Sequence, residues 1–493
     1  MPSIRDPSIR DVVSQLWEGE IEPQIRNYIT IPALSPAFQP DWDEAGQIAA
    51  AVEQLSSWMG ARPIEGLRVE VQDLSLPGSP AVTPLIVAEI QPFGSDGHGG
   101  PGRRGETGGG TEPTVVLYGH LDKQPEMLPW RDGLGPWTPV REGDRLYGRG
   151  GADDGYSAFA SLAAIEAVQR SGGSHGHCFV LIEASEESGS PDLPAHVEAL
   201  VERLGDVDLV VCLDSSCATY DTVWLTTSLR GLVDGTLTVE VLTEGVHSGS
   251  ASGIVPSSFR IIRQLLDRVE DASSGRVLLA AANTEIPDHR RREAEALVEA
   301  ISSPTGESLP LVDGMEAMND QPVDNVLAKT WKPTVSYTGI DGIPTTTMAG
   351  NVLRPATALK LSLRLPPMAD PEAVRDELRA VLLADPPYGA TVRFDRSETA
   401  SGWNSPELSP WLRAVLDDAS NAVFGQPVQQ LGEGGSIPFM AMLGDRFPAA
   451  QFVITGVLGP ESNAHGPNEF LDVAYAEKLT AVIAHVLQGH ARS

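Results

Sequence analysis

Five side chains of the types that bind divalent metals follow apolar segments of this chain of 493 residues. They are His120, Asp153, Glu187, Asp214 and His465. Imidazole and carboxylate groups are the ligands that zinc and manganese accept in proteins. Short motifs surround them, among them Tyr118-Gly119-His120-Leu121-Asp122 and Glu183-Ala184-Ser185-Glu186-Glu187. The spacing therefore predicts a hydrolase site that holds two metals.

A pair of metals about 3.5–4 Å apart requires one carboxylate that bridges both ions. Asp153 is the candidate bridge, because it lies in a predicted turn between a strand and a helix that starts near Tyr156. For the adjacent Asp154, capping of that helix is the favoured interpretation.

The adjacent Glu186 and Glu187 suit two separate roles, one as a metal ligand and the other as a general base. Neighbouring side chains of an extended segment point in opposite directions, so one can bind metal while the other takes a proton from water. An isolated Glu-Glu pair would be expected in a solvated loop. The preceding apolar strand and the presence of His120 in a similar motif favour a metal site instead. Asp122, two residues after His120, is predicted to accept the second ring N–H of that ligand.

Alternating strand and helix patterns predict the fold that positions these groups. Apolar strands are predicted at 85–90, 115–118, 178–182 and 207–213, with helices such as 156–169 between them. This pattern predicts an α/β fold with a mixed, mostly parallel sheet and helices on both faces. Sites in such sheets lie at the carboxyl ends of the strands, where the candidate ligands fall.

The pattern changes near residue 230 to strands of alternating polarity, which predicts an antiparallel sheet with helices on one face. We therefore predict an α+β domain at 229–397, inserted into a catalytic domain formed by 1–228 and 398–493. A glycine-rich stretch at 94–112 is predicted to be a flexible surface loop. It lacks the Gly-x-x-x-x-Gly-Lys spacing of a phosphate-binding loop.

Composition narrows the choice of partners and compartment. The formal net charge is −32, from 67 acidic and 35 basic residues, so nucleic acid and anionic membrane surfaces are unsuitable partners. The chain starts without a secretory signal pattern and has no apolar run of about 18 residues, from which we expect a cytoplasmic protein. Only 3 cysteines are present, which argues against a disulfide framework.

Taken together, these motifs resemble the metallopeptidase family that includes aminoacylase, glutamate carboxypeptidase, succinyl-diaminopimelate desuccinylase and cytosolic non-specific dipeptidase, and the dipeptidases match best. The resemblance implies a zinc-peptidase-like catalytic domain with two divalent ions, Zn²⁺ in the first place and Mn²⁺ or Co²⁺ as alternatives. It implies that His120 and Asp214 hold one ion, that Glu187 and His465 hold the other, and that Asp153 bridges. Glu186 would be the general base.

The inserted domain resembles the family's ferredoxin-like lid, which also makes the homodimer contact. His247, in Gly245-Val246-His247-Ser248-Gly249, resembles the histidine that stabilises the oxyanion in the partner subunit's site. Gly434, Gly435 and Ser436 resemble the turn that holds the substrate carboxylate, and Arg354 would clamp the same group.

Two departures from the family pattern stand out. Relatives tend to place proline before the arginine, whereas this chain reads Arg354-Pro355. Many relatives also carry lysine after the aspartate pair, where this chain reads Gly155-Tyr156. Neither departure removes a predicted metal ligand.

The resulting hypothesis is a peptidase that hydrolyses dipeptides or short peptides with a free C-terminal carboxylate, through a metal-bridging hydroxide and Glu186. The alternative enzyme is an N-acyl-amino-acid amidohydrolase, because the same centre serves any amide with a nearby carboxylate. A binding protein without turnover is disfavoured by the complete set of ligands and base. Purely structural metals are disfavoured by the carboxylate-rich ligand mix.

Overall fold

The computed structural model describes residues 7–75, 81–94, 114–301, 309 and 311–492. Of the predicted glycine-rich loop at 94–112, only Gly94 lies within these residues. The strands are β1 Leu67–Gln72, β2 Leu85–Ile90, β3 Thr114–His120, β4 Val140–Glu142, β5 Arg145–Tyr147, β6 His177–Glu183, β7 Val207–Cys212, β8 Trp224–Leu229, β9 Gly231–Glu240, β10 Val246–His247, β11 Glu270–Asp271, β12 Arg276–Val277, β13 Thr334–Asp341, β14 Val352–Leu353, β15 Ala356–Leu365, β16 Thr391–Asp395, β17 Thr399–Ala400, β18 Trp403–Asn404, β19 Gln429–Glu433, β20 Gln451–Ile454 and β21 Phe470–Asp472.

Helices alternate with these strands along the chain. They are α1 Ile9–Leu16, α2 Glu22–Ile29, α3 Trp42–Ala45, α4 Gln47–Gly60, α5 Tyr156–Arg170, α6 Leu193–Leu204, α7 Ser248–Ala251, α8 Ser258–Leu266, α9 Asp288–Ile301, α10 Pro322–Thr330, α11 Pro371–Leu383, α12 Pro410–Phe424, α13 Pro438–Arg446 and α14 Val473–His490. A π-helical turn, Trp17–Ile21, joins α1 to α2.

The chain folds into two compact units. The first comprises residues 1–226, 405–430 and 442–493, and the second comprises residues 227–404 and 431–441. The second unit thus includes the short segment 431–441, which lies in the part of the sequence predicted to be catalytic. Main-chain hydrogen bonding explains this grouping, since the Arg230 N–H donates to the Gly435 carbonyl at 2.9 Å.

The main sheet of the first unit has the strand order β1-β2-β6-β3-β7-β20. Its pairings β6-β3, β3-β7 and β7-β20 are parallel, whereas β1-β2 and β2-β6 are antiparallel. The predicted mixed and mostly parallel sheet is confirmed.

Central strands of this sheet are apolar on both faces because helices cover them. Every residue of β3 is buried, and helices α5 and α14 are buried over most of their length. A strand that packs on both faces needs a continuous apolar run, which Val115-Val116-Leu117 supplies. The parallel strands β3, β6 and β7 therefore end along one edge of the sheet.

The second unit is built on the antiparallel strand order β13-β15-β9-β16. Buried and partly exposed residues alternate along β9 and β15, as expected when one face packs on helices. Helices α8 and α11 supply that cover, and their apolar residues share one core cluster with the sheet. This is the α+β architecture predicted for the inserted domain. Among the described residues, no helix is long and apolar enough to cross a membrane.

Candidate metal centre and substrate groups

The first unit brings the five predicted ligands to the ends of its strands. His120 is the last residue of β3, Glu187 lies in the turn after β6, and Asp214 follows β7. Asp153 lies in the turn before α5, and His465 lies in the loop before β21. Among the described residues, two groups of side chains have ligand atoms within 4.8 Å of one another, and both contain His120. One adds Glu186 and Asp214, and the other adds Asp153 and Glu187.

Asp153 lies between the two histidines. Its Oδ1 is 3.3 Å from His120 Nε2, and its Oδ2 is 3.0 Å from His465 Nε2. Asp214 Oδ2 lies 3.7 Å from the same nitrogen of His120, and Glu187 Oε2 lies 3.3 Å from His465 Nε2. Each carboxylate oxygen of Asp153 thus faces a different histidine, which is the arrangement a bridging ligand needs.

Asp122 restrains both His120 and the glutamate pair. His120 Nδ1 lies 3.1 Å from the Asp122 main-chain carbonyl and 3.5 Å from its carboxylate, so the carbonyl is the closer acceptor. The two carboxylate oxygens of Asp122 instead accept the N–H groups of Glu186 at 3.1 Å and Glu187 at 3.0 Å. Asp122 therefore fixes the turn that carries the candidate base Glu186 and the candidate ligand Glu187, a role that was not predicted.

The prediction that Asp154 caps α5 is wrong. The helix begins after Gly155 without a side-chain cap, and Asp154 Oδ2 accepts the His120 N–H at 3.2 Å. The side chain can turn towards β3 because Gly119 leaves room for it. A Cβ atom at Gly119 would lie 2.6 Å from Asp154 Oδ2 and 1.9 Å from Ser157 Oγ. Asp154 Oδ1 is buried and has no partner among the described residues.

The centre concentrates negative charge. Burial, together with the charge of Asp153, raises the pKa of Glu187 to about 8, and burial raises that of Asp214 to about 6. Burial, with the charge of Asp214, also holds the pKa of Glu186 well above its ordinary value. Burial lowers the pKa of His465, but the hydrogen bond and charge of Asp153 outweigh it and raise the value to about 9. Divalent cations would offset this negative charge. Their positive charge would also stabilise Asp154 Oδ1, which has no hydrogen-bond partner among the described residues. The residues therefore fit a metal site.

Close to the candidate ligands lie buried basic and acidic side chains that were not among the predicted site residues. Lys123 is buried, and its Nζ donates to the carbonyls of Tyr28 at 2.8 Å and Ile31 at 2.7 Å. Arg149 and Glu469 form a second buried pair. The sequence around Lys123 and Arg149 does not indicate that either side chain is buried. Their burial depends on distant partners, which lie more than 90 residues away for Lys123 and more than 300 residues away for Arg149.

The second unit holds the remaining predicted site residues. His247 is exposed and lies on the two-residue strand β10, directly opposite Val352 of β14. Arg354 follows β14 and has no hydrogen-bond or ion-pair partner among the described residues. His247 thus belongs to a ladder of two residue pairs, and Arg354 lies directly after it.

The turn Gly434 to Ser436 contacts Arg230 and Arg364. Arg230 Nε donates to the Gly434 carbonyl at 3.1 Å, and Ser436 Oγ donates to the Arg230 carbonyl. Arg364 Nη1 lies 3.3 Å from Ser436 Oγ. Burial and the neighbouring Arg364 lower the pKa of Arg230 to about 10. Arg364 was not among the predicted site residues, and its one sequence signal was its polar position near the end of a strand of alternating polarity.

With the fold and the centre described, the class of protein follows from comparison. Residues 116–489 match Peptidase family M20/M25/M40. The match covers most of the chain, which therefore belongs to this family. The prediction of a peptidase hydrolase of the co-catalytic metallopeptidase family is confirmed.

Individual relatives are dipeptidases. The chain is 27% identical over 380 residues to cysteinylglycine-S-conjugate dipeptidase of Corynebacterium striatum, covering 77% of this chain and 81% of that protein. It is 25% identical over 464 residues to Beta-Ala-His dipeptidase of Homo sapiens, covering 88% and 84%.

Two solved structures share the fold. The di-peptidase Dug1p of Saccharomyces cerevisiae has a TM-score of 0.72 at 22% identity, and 98% of each chain is covered. Human carnosine dipeptidase 1 has a TM-score of 0.73 at 21% identity, also with 98% of each chain covered. At these sequence identities the structural similarity shows only that the fold is shared.

Proposed function

We propose that the chain is a metal-dependent dipeptidase that cleaves the amide bond of dipeptides or short peptides with a free C-terminal carboxylate. The observation that carries the proposal is the pair of overlapping ligand groups around His120, with Glu186 and Glu187 side by side in one turn. The dipeptidase relatives, which align with 77% and 88% of the chain, favour this activity over an N-acyl-amino-acid amidohydrolase.

Two divalent ions fit the ligand set. We assign His120 and Asp214 to one ion, Glu187 and His465 to the other, and Asp153 to both. Zn²⁺ is the proposed ion, with Mn²⁺ and Co²⁺ as alternatives that accept the same imidazole and carboxylate ligands. When bound, such ions polarise a carbonyl oxygen and lower the pKa of a water molecule.

Glu186 is the proposed general base. It takes the proton of the attacking water and returns it to the departing nitrogen. A base suits this task when its pKa lies near the working pH, and burial moves that of Glu186 upwards from the range of an exposed glutamate. Glu186 also falls within ligand distance of His120 and Asp214, so its role must be separated from metal binding by experiment.

For the substrate carboxylate we propose the turn of Gly434, Gly435 and Ser436. Arg364 is the proposed cation, in place of Arg354, because it reaches Ser436 and lacks an acidic partner among the described residues. A guanidinium group can bind a carboxylate with two hydrogen bonds. His247 is proposed to stabilise the oxyanion, a role that comes from the resemblance of its motif.

We also propose a homodimer that forms through the second unit. Strand β13 lies at the edge of its sheet, and six of its eight residues are exposed. Tyr337, Ile340 and Ile343 are exposed apolar side chains on or just after it. A long exposed edge of this kind pairs readily with a second chain. A cytoplasmic location stays a prediction.

Hydrolysis assays test the proposed activity. Metal-stripped protein is supplied with Zn²⁺, Mn²⁺ or Co²⁺ and offered free dipeptides, the matching dipeptide amides and N-acetyl amino acids. The proposal predicts metal-dependent cleavage of the free dipeptides. Cleavage of the N-acetyl compounds alone would assign the chain to the deacylases, and cleavage of neither would contradict both activities.

A further inference from the structure

The loop that carries His465 has a strained backbone. Glu461, Asn463, His465 and Asn468 have φ angles of 65°, 54°, 62° and 63°. Residues other than glycine rarely adopt this left-handed region, and each such residue persists only when its surroundings hold it there. The position of the His465 imidazole therefore depends on contacts that restrain the loop from outside.

Arg149 supplies the central restraint. Its side chain is 1% exposed, and Nη2 donates to the carbonyl of Gly466, the residue after His465, at 2.7 Å. Nη1 donates to Glu469 Oε2 in a buried ion pair. The other oxygen of Glu469 accepts the N–H of Gly150 at 2.9 Å, and its carbonyl accepts the N–H of Gly148 at 3.0 Å. Both ends of the segment 466–469 are thus fixed to the chain around Arg149.

The same guanidinium group reaches a second segment of the centre. Arg149 Nε donates to the carbonyl of Pro125 at 3.1 Å. The preceding residue, Gln124, donates from Nε2 to Glu187 Oε2 at 2.5 Å. One planar group therefore restrains the neighbours of both proposed ligands of the second ion, His465 and Glu187.

The bridging residue belongs to the same assembly. Asp153 follows Arg149 by four positions, in the turn that starts at Gly151, and Glu469 holds the main chain at Gly150. Lysine could keep the charge of Arg149 but not its three simultaneous hydrogen bonds in fixed directions, because an ammonium group is a compact point charge on a flexible stem.

We propose that Arg149 and Glu469 are positioning residues for the second metal ion, and that they hold His465 and Glu187 at the distances Asp153 requires. The inference rests on the proposed assignment of His465 and Glu187 to that ion. Partners behind metal ligands of this kind typically change metal affinity about 10- to 100-fold when they are altered.

A second buried ion pair of the first unit provides a matched control. Arg62 Nη2 lies 2.7 Å from Glu166 Oε2, and the two side chains are 7% and 1% exposed. This pair links the residues just after α4 to α5, and the ion-pair partners of its two side chains among the described residues include none of the proposed ligands. A merely structural effect of breaking a buried pair should appear equally in both pairs.

The test compares Arg149→Lys and Glu469→Gln with Arg62→Lys and Glu166→Gln. Metal-free protein is titrated with Zn²⁺ against a chromophoric chelator, which resolves two equivalents, and thermal unfolding is recorded in parallel. We expect Arg149→Lys to weaken one of the two equivalents about 10- to 100-fold, the same one that His465→Ala weakens, and to leave the other unchanged. Glu469→Gln keeps its acceptor oxygen and should weaken that equivalent less. The control variants should lower the unfolding temperature without changing either affinity.

A double-mutant cycle with His465→Ala isolates the coupling. Once His465 is absent, Arg149→Lys should cause a smaller further loss of zinc affinity than in the wild-type background, because only the restraints on Glu187 and Asp153 remain. Wild-type affinity for both equivalents in Arg149→Lys, or an equal loss in both control variants, would overturn the positioning role. Wild-type protein that takes up fewer than two equivalents would instead overturn the proposed metal centre and this role with it. Should Arg149→Lys fail to fold, Glu469→Gln decides the question by the same criteria.

Discussion

The two units carry their proposed functional groups in contrasting surroundings. His120 of the first unit is fully buried and lies within 4 Å of Asp122, Asp153 and Asp214. His247 of the second unit is exposed on a strand of two residues. A buried group has its geometry fixed by the packing of its own unit, whereas an exposed group depends on what it meets. The part of the candidate metal centre around His120 is therefore preorganised, and the groups of the second unit are proposed to act on the substrate once it is bound.

The largest effect should come from the base of the buried centre. Glu186→Gln keeps the size of the side chain but cannot accept the proton of water, so kcat should fall about 10³-fold. Metal content, measured by elemental analysis, should stay at the wild-type level. Loss of a metal ion together with the activity would show that Glu186 is a ligand and would contradict its assignment as base.

A smaller loss is expected at the exposed histidine of the second unit. His247→Ala should lower kcat about 10²-fold through loss of oxyanion stabilisation. Because His247 is exposed, the unfolding temperature and zinc affinity should not change. Steady-state kinetics at saturating metal measures the effect, with His289→Ala in the same unit as the comparison variant. Equal kcat values for wild type and His247→Ala would remove His247 from the mechanism.

The two candidate arginines of the second unit should differ. Arg364→Gln should raise KM for dipeptides about 10- to 100-fold, because a charged hydrogen bond to the substrate carboxylate is lost. Arg354→Gln should have little effect. Dipeptide amides, which lack that carboxylate, supply the control and should be insensitive to Arg364→Gln. The reverse ranking of the two variants would restore Arg354 as the carboxylate clamp.

The smallest effect is a dependence of stability on pH. In the metal-free protein the pKa of Glu187 is raised from its ordinary 4.5 to about 8, and that of Asp214 from 3.8 to about 6. The folded state therefore holds these protons more strongly than the unfolded state does. Their stabilising contribution is complete below about pH 4 and is lost as the pH rises through about 6 and 8.

Metal binding should reverse this loss, because the ligands must be deprotonated to bind. The gain in unfolding temperature on adding Zn²⁺ should therefore grow across the same pH range, and Glu187→Gln should flatten its upper part. Calorimetric melts with and without Zn²⁺ measure both curves. A gain that shrinks with rising pH would contradict the assignment of these carboxylates as ligands.

The contrast between the units also explains what the sequence could predict. Strand β2 at 85–90 was predicted with its observed bounds, and helix α5 was predicted at 156–169, one residue short of its observed end, because apolar periodicity is a local signal. The candidate ligands were predicted from the same local signal, because each follows a strand or turn whose neighbouring residues indicate burial. Strands β1 and β20 were missed, and the order of strands in the sheet was not predicted, because pairing depends on distant partners.

Residues whose role comes from distant contacts were the ones that sequence reasoning missed. Arg149 pairs with Glu469 across 320 positions, and Arg364 reaches Ser436 across 72. Asp154 was interpreted as a helix cap because local capping rules were the one available signal. The space left by Gly119 on β3 decided its orientation instead.

The central claim is that two ions share Asp153, and anomalous diffraction from crystals of the zinc-loaded protein tests it most directly. Data collected on both sides of the zinc absorption edge would locate each ion. The account predicts two anomalous peaks about 3.5–4 Å apart, one beside His120 and Asp214 and one beside His465 and Glu187, with Asp153 between them. A single peak, or two peaks that do not share Asp153, would contradict it.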